Sequence, residues 1–535
     1  MEKKIERFKI KVSSRTNTAI KLRKILLSRM IVMALLLLIQ LGVFVLFTVT
    51  LQNYLKYYLG ISVLISALFL FYLVNQPGKN EFKIAWILPV LIIPVFGISL
   101  FFMYRYNQGG FLLKQKLQNV KKHSERFITD YDKQLQIWEG NPDVKDLCNY
   151  LYNKGPYPAF TGCKTKYFSC GEDFFEDVLN EFSKAKKFIF LEFFIVEPCQ
   201  LMDKLLSILN QKVKEGIEVR ILFDSIGSIS LSSSLLKNYF SSFGINSKIW
   251  LKFIPVFNTG LNNRDHRKII CIDGTTAYTG GVNLTDEYAN IRSNRFEYWK
   301  DAGIKIYGNA SQSFTKMFLE QWNVQNRKNQ PYENFDNYIN KSLQILKNDR
   351  SKREGIVIPY GDDAYNDVEI AEDVYRYLLM KASKKICVMT PYVIIDHTML
   401  EDLVFAANRG VQVEIIVPKH YDHFVSFCVG RTYIKNLIAN KIKVYEYNPG
   451  FIHSKVFLSD DDFGTVGSIN LDYRSFYHHF ECGTFLYKAE ALKKAHKDFE
   501  NTKKECTLIT DEYFKTFPWY MKLTGFVFRI FGPLM

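Results

Sequence analysis

The sequence predicts an α/β protein with two tandem domains, each a mixed sheet flanked by helices, related by a pseudo-two-fold axis and preceded by N-terminal transmembrane helices. Three observations predict this fold: long apolar runs near the N-terminus, helical patterns that alternate with short apolar strands, and a motif that occurs twice. A chain of 535 residues exceeds one ordinary domain. The formal net charge of +16 favours anionic partners such as nucleic acid, anionic lipid headgroups or phosphate-bearing substrates.

The N-terminal region predicts a membrane anchor. Residues 1–29 form a basic arm, and residues 30–106 form a transmembrane region. The apolar runs of this region are Met30–Leu51, Tyr57–Val74 and Ile84–Tyr104. Because about 20 apolar residues cross a bilayer as a helix, we expect two to three transmembrane helices and a multi-pass protein of the cell membrane. The first apolar run is too long for a cleavable signal peptide, and no small-residue cleavage site follows it.

The flanking charges leave the orientation open. The basic arm places the N-terminus inside, and three full crossings would then put the rest of the chain outside. Basic residues after the third run also favour the inside: Arg105, Lys114, Lys116, Lys121 and Lys122. The two signals agree only if one run does not cross, either by lying in the interface or by re-entering.

An internal repeat divides the remainder of the chain. Ala185–Phe190 matches Ser383–Val388, and Lys214–Leu222 matches Asn408–Ile416. The predicted segments are a connecting helix and linker at 107–159, the two domains at 160–325 and 352–510, a polar linker at 326–351, and an aromatic tail at 511–535. The period is too long for a solenoid, so the repeat indicates duplication of one domain. The tail predicts either a core-capping helix or an interfacial membrane helix.

Two copies of one motif supply the candidate catalytic residues. They share the spacing H-x-K-x4-D: His266, Lys268 and Asp273 in the first, and His453, Lys455 and Asp460 in the second. Each copy is followed by candidate substrate-binding residues: Gly280, Gly281 and Asn283 in the first, and Gly467, Ser468 and Asn470 in the second. On a strand, a His and a Lys two residues apart point to the same face.

Two such copies facing each other suit an in-line displacement at the phosphorus of a diester. One neutral imidazole attacks phosphorus and forms a phosphohistidine, while the other, protonated, donates to the leaving alkoxide. The lysines and asparagines stabilise charge on the non-bridging oxygens, and the glycines let backbone N–H groups approach the phosphate. The scheme requires neither metal nor cofactor. The nine cysteines include no zinc-binding spacing and no CxxC pair, so no disulfide framework is predicted either.

Four carboxylates accompany the motifs. Asp301 and Glu481 are aligned in the repeat, one strand beyond each motif, and they are the predicted partners that orient the two imidazoles. Asp273 and Asp460 lie at turns, where their role is either chemical or structural.

These motifs resemble those of the phospholipase D superfamily over roughly residues 160–510, and both copies are complete. Within it the chain is most similar to bacterial cardiolipin synthases through Asn263–Lys268, Gly280–Tyr288, Tyr298–Asp301, Thr390–Tyr392, Gly532–Met535 and the Trp86–Pro89 segment of the hydrophobic region. The resemblance implies two tandem phospholipase D-like domains. It also implies transfer of a phosphatidyl group between two phosphatidylglycerol molecules, which gives cardiolipin and glycerol through a phosphatidyl-histidine.

By the same resemblance His266 is the nucleophile and His453 the acid/base. The expected partners are phosphatidylglycerol and anionic membrane lipid, without nucleic acid, and the oligomeric state is open. Three departures concern acceptor and topology. Asp265 precedes His266 where many members carry Asn, His478-His479 stands where Asn is common, and three apolar runs appear where two are frequent.

Alternative functions keep or change the chemistry. Water as acceptor would make a phospholipase, and serine would make a phosphatidylserine synthase. A membrane-tethered nuclease of the same superfamily is a further alternative, against which the apolar runs count. A lipid-binding or nucleic-acid-binding scaffold with relic motifs is opposed by the intact second copy.

Overall fold

The computed structural model describes residues 38–39, 41–105, 108–125, 131–228, 233–251, 263–292, 295–327, 330–339 and 355–535. They form two compact units. The larger unit contains the described residues of 113–251 and 263–526, and the smaller one contains those up to 112 together with 527–535. The basic arm, much of the first apolar run and part of the predicted 326–351 linker lie outside the described residues.

One helix of the smaller unit is long and apolar enough to span a bilayer. Within the described residues, Gln52–Val74 is the stretch that meets this criterion, and Leu41–Thr50 is a shorter apolar helix. The helix proper, α1, covers Leu55–Val74. Its side chains are largely exposed, with Val63 68% and Phe71 72% accessible, as expected of a helix surrounded by lipid.

The third apolar run forms two short helices instead of one crossing helix. They are α2, Asn80–Ile92, and α3, Pro94–Arg105. The Trp86 and Phe101 rings lie 5.5 Å apart, whereas in one straight helix their Cα atoms would be about 22 Å apart. The run therefore folds back on itself as a hairpin, and each arm, of about 20 Å, is shorter than the roughly 30 Å hydrocarbon core.

Proline and glycine explain the hairpin. Pro94 disfavours helical backbone at the preceding Ile93, which has φ −139° and ψ 77°. A Cβ at Gly97 would lie 2.6 Å from the Pro89 backbone, so only glycine allows the two arms to meet this closely. Of the two to three transmembrane helices expected, the third run therefore does not form one full-length crossing helix.

Several helices occupy the described part of the predicted connecting segment. They are α4, Gln108–Ser124, α5, Tyr131–Glu139, and α6, Lys145–Lys154, and the short strand β1, Phe160–Thr161, follows them. In the larger unit, Leu117 and Val120 of α4 are buried in a cluster with Trp250 and Phe480. Residues of both tandem domains thus contact this connector.

The first domain is a mixed sheet with helices. Its elements are β2 Lys164–Phe168, α7 Gly171–Lys184, β3 Phe188–Phe193, α8 Gln200–Lys214, β4 Glu218–Asp224, α9 Ser233–Ser241, β5 Asn246–Trp250, β6 Ile269–Ile272, β7 Thr276–Gly280, β8 Tyr298–Lys300, β9 Gly303–Tyr307 and α10 Ser311–Val324. The sheet order is β2-β9-β7-β6-β3-β4-β5, in which β3, β4 and β5 are parallel and the other pairs antiparallel.

The second domain repeats this arrangement. Its elements are β10 Ile356–Asp362, α11 Ile370–Lys381, β11 Lys385–Met389, β12 Val393–Ile394, α12 His397–Asn408, β13 Gln412–Pro418, α13 Phe424–Ala439, β14 Lys443–Tyr447, β15 Gly450–Ile452, β16 Val456–Ser459, β17 Phe463–Gly467, β18 Leu471–Asp472, α14 Tyr473–Tyr477, β19 Glu481–Tyr487, α15 Glu490–Lys504 and β20 Cys506–Leu508. The helices α16, Asp511–Thr516, and α17, Trp519–Phe528, follow.

Corresponding strands occupy corresponding places in the two sheets. The second sheet has the order β1-β10-β19-β17-β16-β11-β13-β14-β20, which is the first order with one strand added at each edge. The added strand β1 precedes the first domain in the chain but pairs with β10, Phe160 lying opposite Val357. The predicted duplication of a mixed α/β domain is confirmed, and a single buried cluster that includes Phe190, Phe318, Leu458 and Leu486 joins the two halves.

Candidate active site

Two short backbone ladders join the halves at the histidines. The N–H of His266 donates to the carbonyl of Phe480 at 2.9 Å, and the N–H of Phe480 donates to Arg264 O at 2.8 Å. In the other copy β15 pairs in parallel with β8, and the N–H of His453 donates to Lys300 O at 2.7 Å. Each histidine therefore lies on a segment that pairs with the residue just before the carboxylate of the other half, Glu481 for His266 and Asp301 for His453.

The ladders produce two crossed histidine–carboxylate pairs. Nδ1 of His266 lies 2.9 Å from Oε1 of Glu481, and Nδ1 of His453 lies 2.7 Å from Oδ2 of Asp301. Both carboxylates are fully buried. The sequence singled out these two residues as orienting partners, and the structure pairs each with the histidine of the opposite half. Because Nδ1 is engaged in each ring, Nε2 is the atom left for chemistry.

Both motif lysines are buried beside the histidines. Nζ of Lys268 donates to the His266 carbonyl at 2.5 Å, and Nζ of Lys455 lies 2.8 Å from Nδ1 of His453. Burial lowers the pKa of Lys268 to about 8 and that of Lys455 to about 7, although the nearby carboxylates oppose the change. The charge of Lys268 also lowers the pKa of Lys455.

The same burial keeps the imidazoles of His266 and His453 neutral at neutral pH. It lowers the pKa of His266 to about 4, and the lysines of both copies act in the same direction while Glu481 opposes them. The pKa of His453 also falls to about 4, through burial and then Lys455, against the opposing charge of Asp301. A bound anionic phosphodiester would raise both pKa values, since it stabilises the imidazolium form.

The glycines of the first copy make room for the carboxylate and the neighbouring strand. A Cβ at Gly281 would lie 2.1 Å from Oδ1 of Asp301, and one at Gly280 would lie 2.4 Å from Ala302 O. The N–H of Gly281 donates to Ala302 O at 3.0 Å. The expectation that this N–H contacts a phosphate is therefore wrong, because the strand pairing already uses it.

Ser468 of the second copy supports Glu481. Its hydroxyl donates to Oε2 of Glu481, and Ser475 Oγ donates to Oε1 at 2.9 Å. The N–H groups of Gly467 and Ser468 donate to backbone carbonyls, so the phosphate contact expected of them is also wrong. Burial opposes ionisation of Glu481, but His266, His479 and Lys268 hold the pKa of Glu481 well below its usual range.

The two motif asparagines are both buried but differ in their contacts. Oδ1 of Asn283 accepts from the N–H of Ile195 at 3.1 Å. Oδ1 of Asn470 has no hydrogen-bond partner among the described residues. Both carboxamides remain candidates for contacting the substrate.

Asp273 and Asp460 occupy the far ends of the motif strands. Asp273 accepts from the backbone N–H groups of residues 186–188 at 2.7–3.0 Å, and Asp460 accepts from those of residues 383–385 at 2.8–2.9 Å. Each has positive φ at the turn after its strand, about 20 Å along the chain from the histidine. Of the two roles that the sequence left open, this geometry favours the structural one and opposes the catalytic one.

Sequence reasoning missed the aromatic walls and a third histidine. Phe194 lies 5.1 Å from the His266 ring, and Trp299 lies 5.2 Å from the His453 ring, measured between centroids. The His479 ring lies 5.4 Å from that of His266, and its buried Nδ1 lies 3.8 Å from Oε1 of Glu481. The His-His doublet at a position where Asn is common was the one sequence signal for it.

Two residue groups within the described parts have metal-ligand spacing. The first is His266, His479 and Glu481, whose ligand atoms lie within 4.8 Å of one another. A metal there would compete with the hydrogen bond between His266 Nδ1 and Glu481. The second is Cys387, Glu414 and Glu500, where Lys385 forms ion pairs with both glutamates.

A cleft of about 340 Å³ lies next to the His453 side of the site. Tyr392, Phe427, Arg431 and Phe451 are among its lining residues. The Phe451 ring is 6.4 Å from that of His453, so the cleft offers apolar surface close to the reacting groups.

The duplicated fold and the two buried histidine–carboxylate pairs define a class of enzyme that transfers groups at phosphodiesters through histidine. Residues 178–322 and 375–503, just over half of the chain, match the family model described as cardiolipin synthase, PLD-like domain. The chain belongs to this family.

Relatives match most of its length. A protein from Streptococcus mutans serotype c, described as uncharacterised, is 37% identical over 472 residues, covering 87% of this chain and 99% of its own. A cardiolipin synthase from Alkalihalophilus pseudofirmus is 28% identical over 491 residues, covering 89% and 92%. The crystal structure of a phosphatidylserine synthase from Haemophilus influenzae Rd KW20 matches with a TM-score of 0.53 and 14% identity, covering 73% of this chain and 99% of that one. This last likeness shows the fold.

Proposed function

We propose that this protein is a membrane phosphatidyltransferase that converts two phosphatidylglycerol molecules to cardiolipin and glycerol. The observation that carries the proposal is the crossed pairing of His266 with Glu481 and of His453 with Asp301 in a member of the cardiolipin synthase family. Each pair presents one Nε2 atom, which is what a two-step displacement at phosphorus requires.

In the first step Nε2 of His266 attacks the phosphorus of one phosphatidylglycerol. A P–N bond forms, the bond from phosphorus to the glycerol headgroup oxygen breaks, and His453 gives that oxygen a proton. Glu481 stabilises the positive charge that develops on His266. The assignment of His266 as nucleophile follows the family resemblance.

In the second step a hydroxyl of another phosphatidylglycerol attacks the phosphatidyl-histidine. His453, supported by Asp301, takes the hydroxyl proton, a new P–O bond forms and the P–N bond breaks. Lys268 and Lys455, with Asn283 and Asn470, would stabilise the non-bridging oxygens in both steps.

Substrate charge supplies the protonation that this scheme needs. With pKa values of about 4, both imidazoles are neutral at neutral pH. The anionic diester offsets the lysine charges and raises the pKa of the adjacent imidazoles, so that one of them binds a proton as the substrate binds. His453 therefore carries a proton at the step in which the leaving oxygen needs one.

The purified full chain, incubated in liposomes with headgroup-labelled phosphatidylglycerol, is expected to release labelled glycerol and form cardiolipin in equal amounts. The product identities follow from the second lipid acting as acceptor. Thin-layer chromatography with mass spectrometry measures them, and His453→Asn serves as the blank. Phosphatidic acid as the sole lipid product would instead show hydrolysis. Conversion of phosphatidylglycerol that requires added serine and gives no cardiolipin would show that serine is the acceptor.

We further propose a topology for the larger unit, which holds both histidines and is called the catalytic unit from here on. It lies on the same side of the membrane as the basic arm, in the cytoplasm. The first two apolar runs would cross, and the α2–α3 hairpin would re-enter from the side of the catalytic unit. This arrangement is supported by the length of the hairpin arms and by the basic residues on both flanks of the region, which agree only when the number of crossings is even.

Cysteine labelling tests the topology. In intact cells, Glu401→Cys, at a position that is 67% exposed on α12, is expected to resist a membrane-impermeant maleimide as fully as Lys4→Cys in the basic arm. Both are expected to react after permeabilisation. The native cysteines are buried or half-buried, which keeps the background low. Labelling of Glu401→Cys in intact cells would contradict the proposed orientation.

A further inference from the structure

The last helix of the catalytic unit carries an exposed apolar face. On α17 the side chains of Trp519, Tyr520, Leu523 and Phe526 are 74%, 49%, 53% and 79% exposed. At about 100° per residue these positions fall within roughly one third of the helix circumference, so they form one continuous stripe. A stripe of this kind on a soluble surface marks an interaction site.

The opposite face of α17 is firmly attached to the second domain. A Cβ at Gly525 would lie 2.5 Å from the Cys428 carbonyl, so the helix lies directly against α13. Tyr520, at the edge of the stripe, stacks on Phe424 of α13 at 6.4 Å between centroids while remaining 49% exposed. The core-facing side of the helix is therefore already occupied, and the exposed stripe faces away from it.

The chain continues from this stripe into the unit that holds the apolar helix α1. Residues 527–535 belong to that smaller unit, and within it Leu534 packs against a cluster that includes Phe69 of α1, Trp86 and Phe101. Phe526, the last residue of the stripe, is therefore followed directly in the chain by the segment that packs with α1.

We propose that the stripe of α17 docks the catalytic unit onto a lipid bilayer that contains anionic lipid. Trp and Tyr favour the membrane–water interface, and an amphipathic helix buries its apolar face there. The exposed Lys522 lies beside the stripe, where it can contact anionic headgroups. The sequence predicted either a core-capping helix or an interfacial membrane helix for the tail, and this proposal takes the second.

Docking would also bring the cleft beside His453 to the lipid. Phe517, just before α17, packs against Phe427 at 6.4 Å, and Phe427 lines that cleft. This part of the inference rests on the proposed function, because it explains how a lipid headgroup reaches a buried pair of histidines without leaving the membrane surface.

The first test measures burial of the stripe in lipid without reference to activity. The full chain is reconstituted in phosphatidylcholine–phosphatidylglycerol vesicles with and without brominated acyl chains, and tryptophan fluorescence is compared between wild type and Trp519→Phe. Bromine quenches only indoles that enter the bilayer. We therefore expect brominated lipid to quench, in wild type, a component of the emission that is missing from Trp519→Phe. An unquenched Trp519 component overturns the proposal.

The second test separates docking from catalysis. Leu523→Ser combined with Phe526→Ser is expected to raise the apparent KM for phosphatidylglycerol in vesicles by about 10-fold or more, since it removes two apolar anchors. Turnover of a short-chain phosphatidylglycerol dispersed as monomers is expected to stay unchanged. Phe405→Ser is the matched control, because Phe405 is 55% exposed on α12, outside the stripe.

Each outcome is decisive. Equal loss on vesicles and on monomers, or no loss on either, overturns the docking role while leaving the proposed function intact. If the wild-type protein turns over neither substrate, the proposed function is wrong, and the quenching result then decides by itself whether the stripe docks onto lipid. A stripe that mediates pairing with a second copy would show as a dimer dissociated by the double variant in light scattering, and that result also overturns bilayer docking.

Discussion

Replacing either catalytic histidine with asparagine is expected to lower kcat for cardiolipin formation by at least about 10⁴-fold, because each residue acts in both steps. His266→Asn removes the atom that forms the P–N bond. His453→Asn removes the group that protonates the leaving oxygen and later deprotonates the acceptor. The initial rate with phosphatidylglycerol vesicles measures both effects.

The variants are expected to remain folded. The bonds that hold each histidine segment across the domain interface are made by backbone atoms, the N–H of His266 to Phe480 O and that of His453 to Lys300 O, and they survive a side-chain change. Circular dichroism and thermal unfolding measured beside the rates check this. Retention of more than a few per cent of activity in either folded variant would contradict the two-histidine scheme.

An activated substrate separates the two roles. A p-nitrophenyl phosphodiester of a short-chain diacylglycerol needs no acid, because nitrophenolate leaves without a proton. His453→Asn is therefore expected to release one equivalent of nitrophenolate in a burst and to keep the phosphatidyl group on His266, whereas His266→Asn shows no burst. Mass spectrometry of the trapped protein at alkaline pH locates the group, and its presence on His453 would reverse the assignment.

Removing the charge from either buried carboxylate is expected to be the next most damaging change. Glu481→Gln and Asp301→Asn should each lower kcat by about 10²–10⁴-fold, because an amide no longer fixes the imidazole tautomer or stabilises the imidazolium. The crossed pairing determines which histidine each variant affects: Glu481→Gln acts on His266 and Asp301→Asn on His453.

The nitrophenyl substrate again distinguishes these effects. Glu481→Gln is expected to slow the burst, which reports attack by His266, while Asp301→Asn leaves the burst and slows the following turnover. Asp460→Asn is the matched control. Within the described residues the Asp460 carboxylate accepts hydrogen bonds from backbone and hydroxyl groups of residues 383–385, so its variant should reduce the free energy of unfolding and leave the rate constants of the folded enzyme nearly unchanged. The opposite pattern, with Glu481→Gln slowing only the second phase, would contradict the crossed pairs.

Much of the site could be predicted from the sequence because the chemistry depends on residue types at short, regular spacings. His266 and Lys268 are two residues apart on one segment, and the same pattern at His453 revealed the duplication. The order of apolar strands and helices in each repeat predicted the mixed sheet for the same reason, since alternation is a local property of the chain. Asp301 and Glu481 were found because they are aligned in the repeat.

Long-range pairing decided what local spacing could not. The amino-acid sequence by itself determined the two catalytic copies, their candidate carboxylates and a duplicated α/β fold. Only the tertiary structure decided that Glu481 serves His266 and Asp301 serves His453, because backbone ladders cross between the halves and place each carboxylate opposite the other domain's imidazole. It also showed that the amide groups of Gly281 and Ser468 are used by strand pairing, and that the third apolar run turns back at Pro94, where packing of the two arms depends on contacts between residues distant along the run.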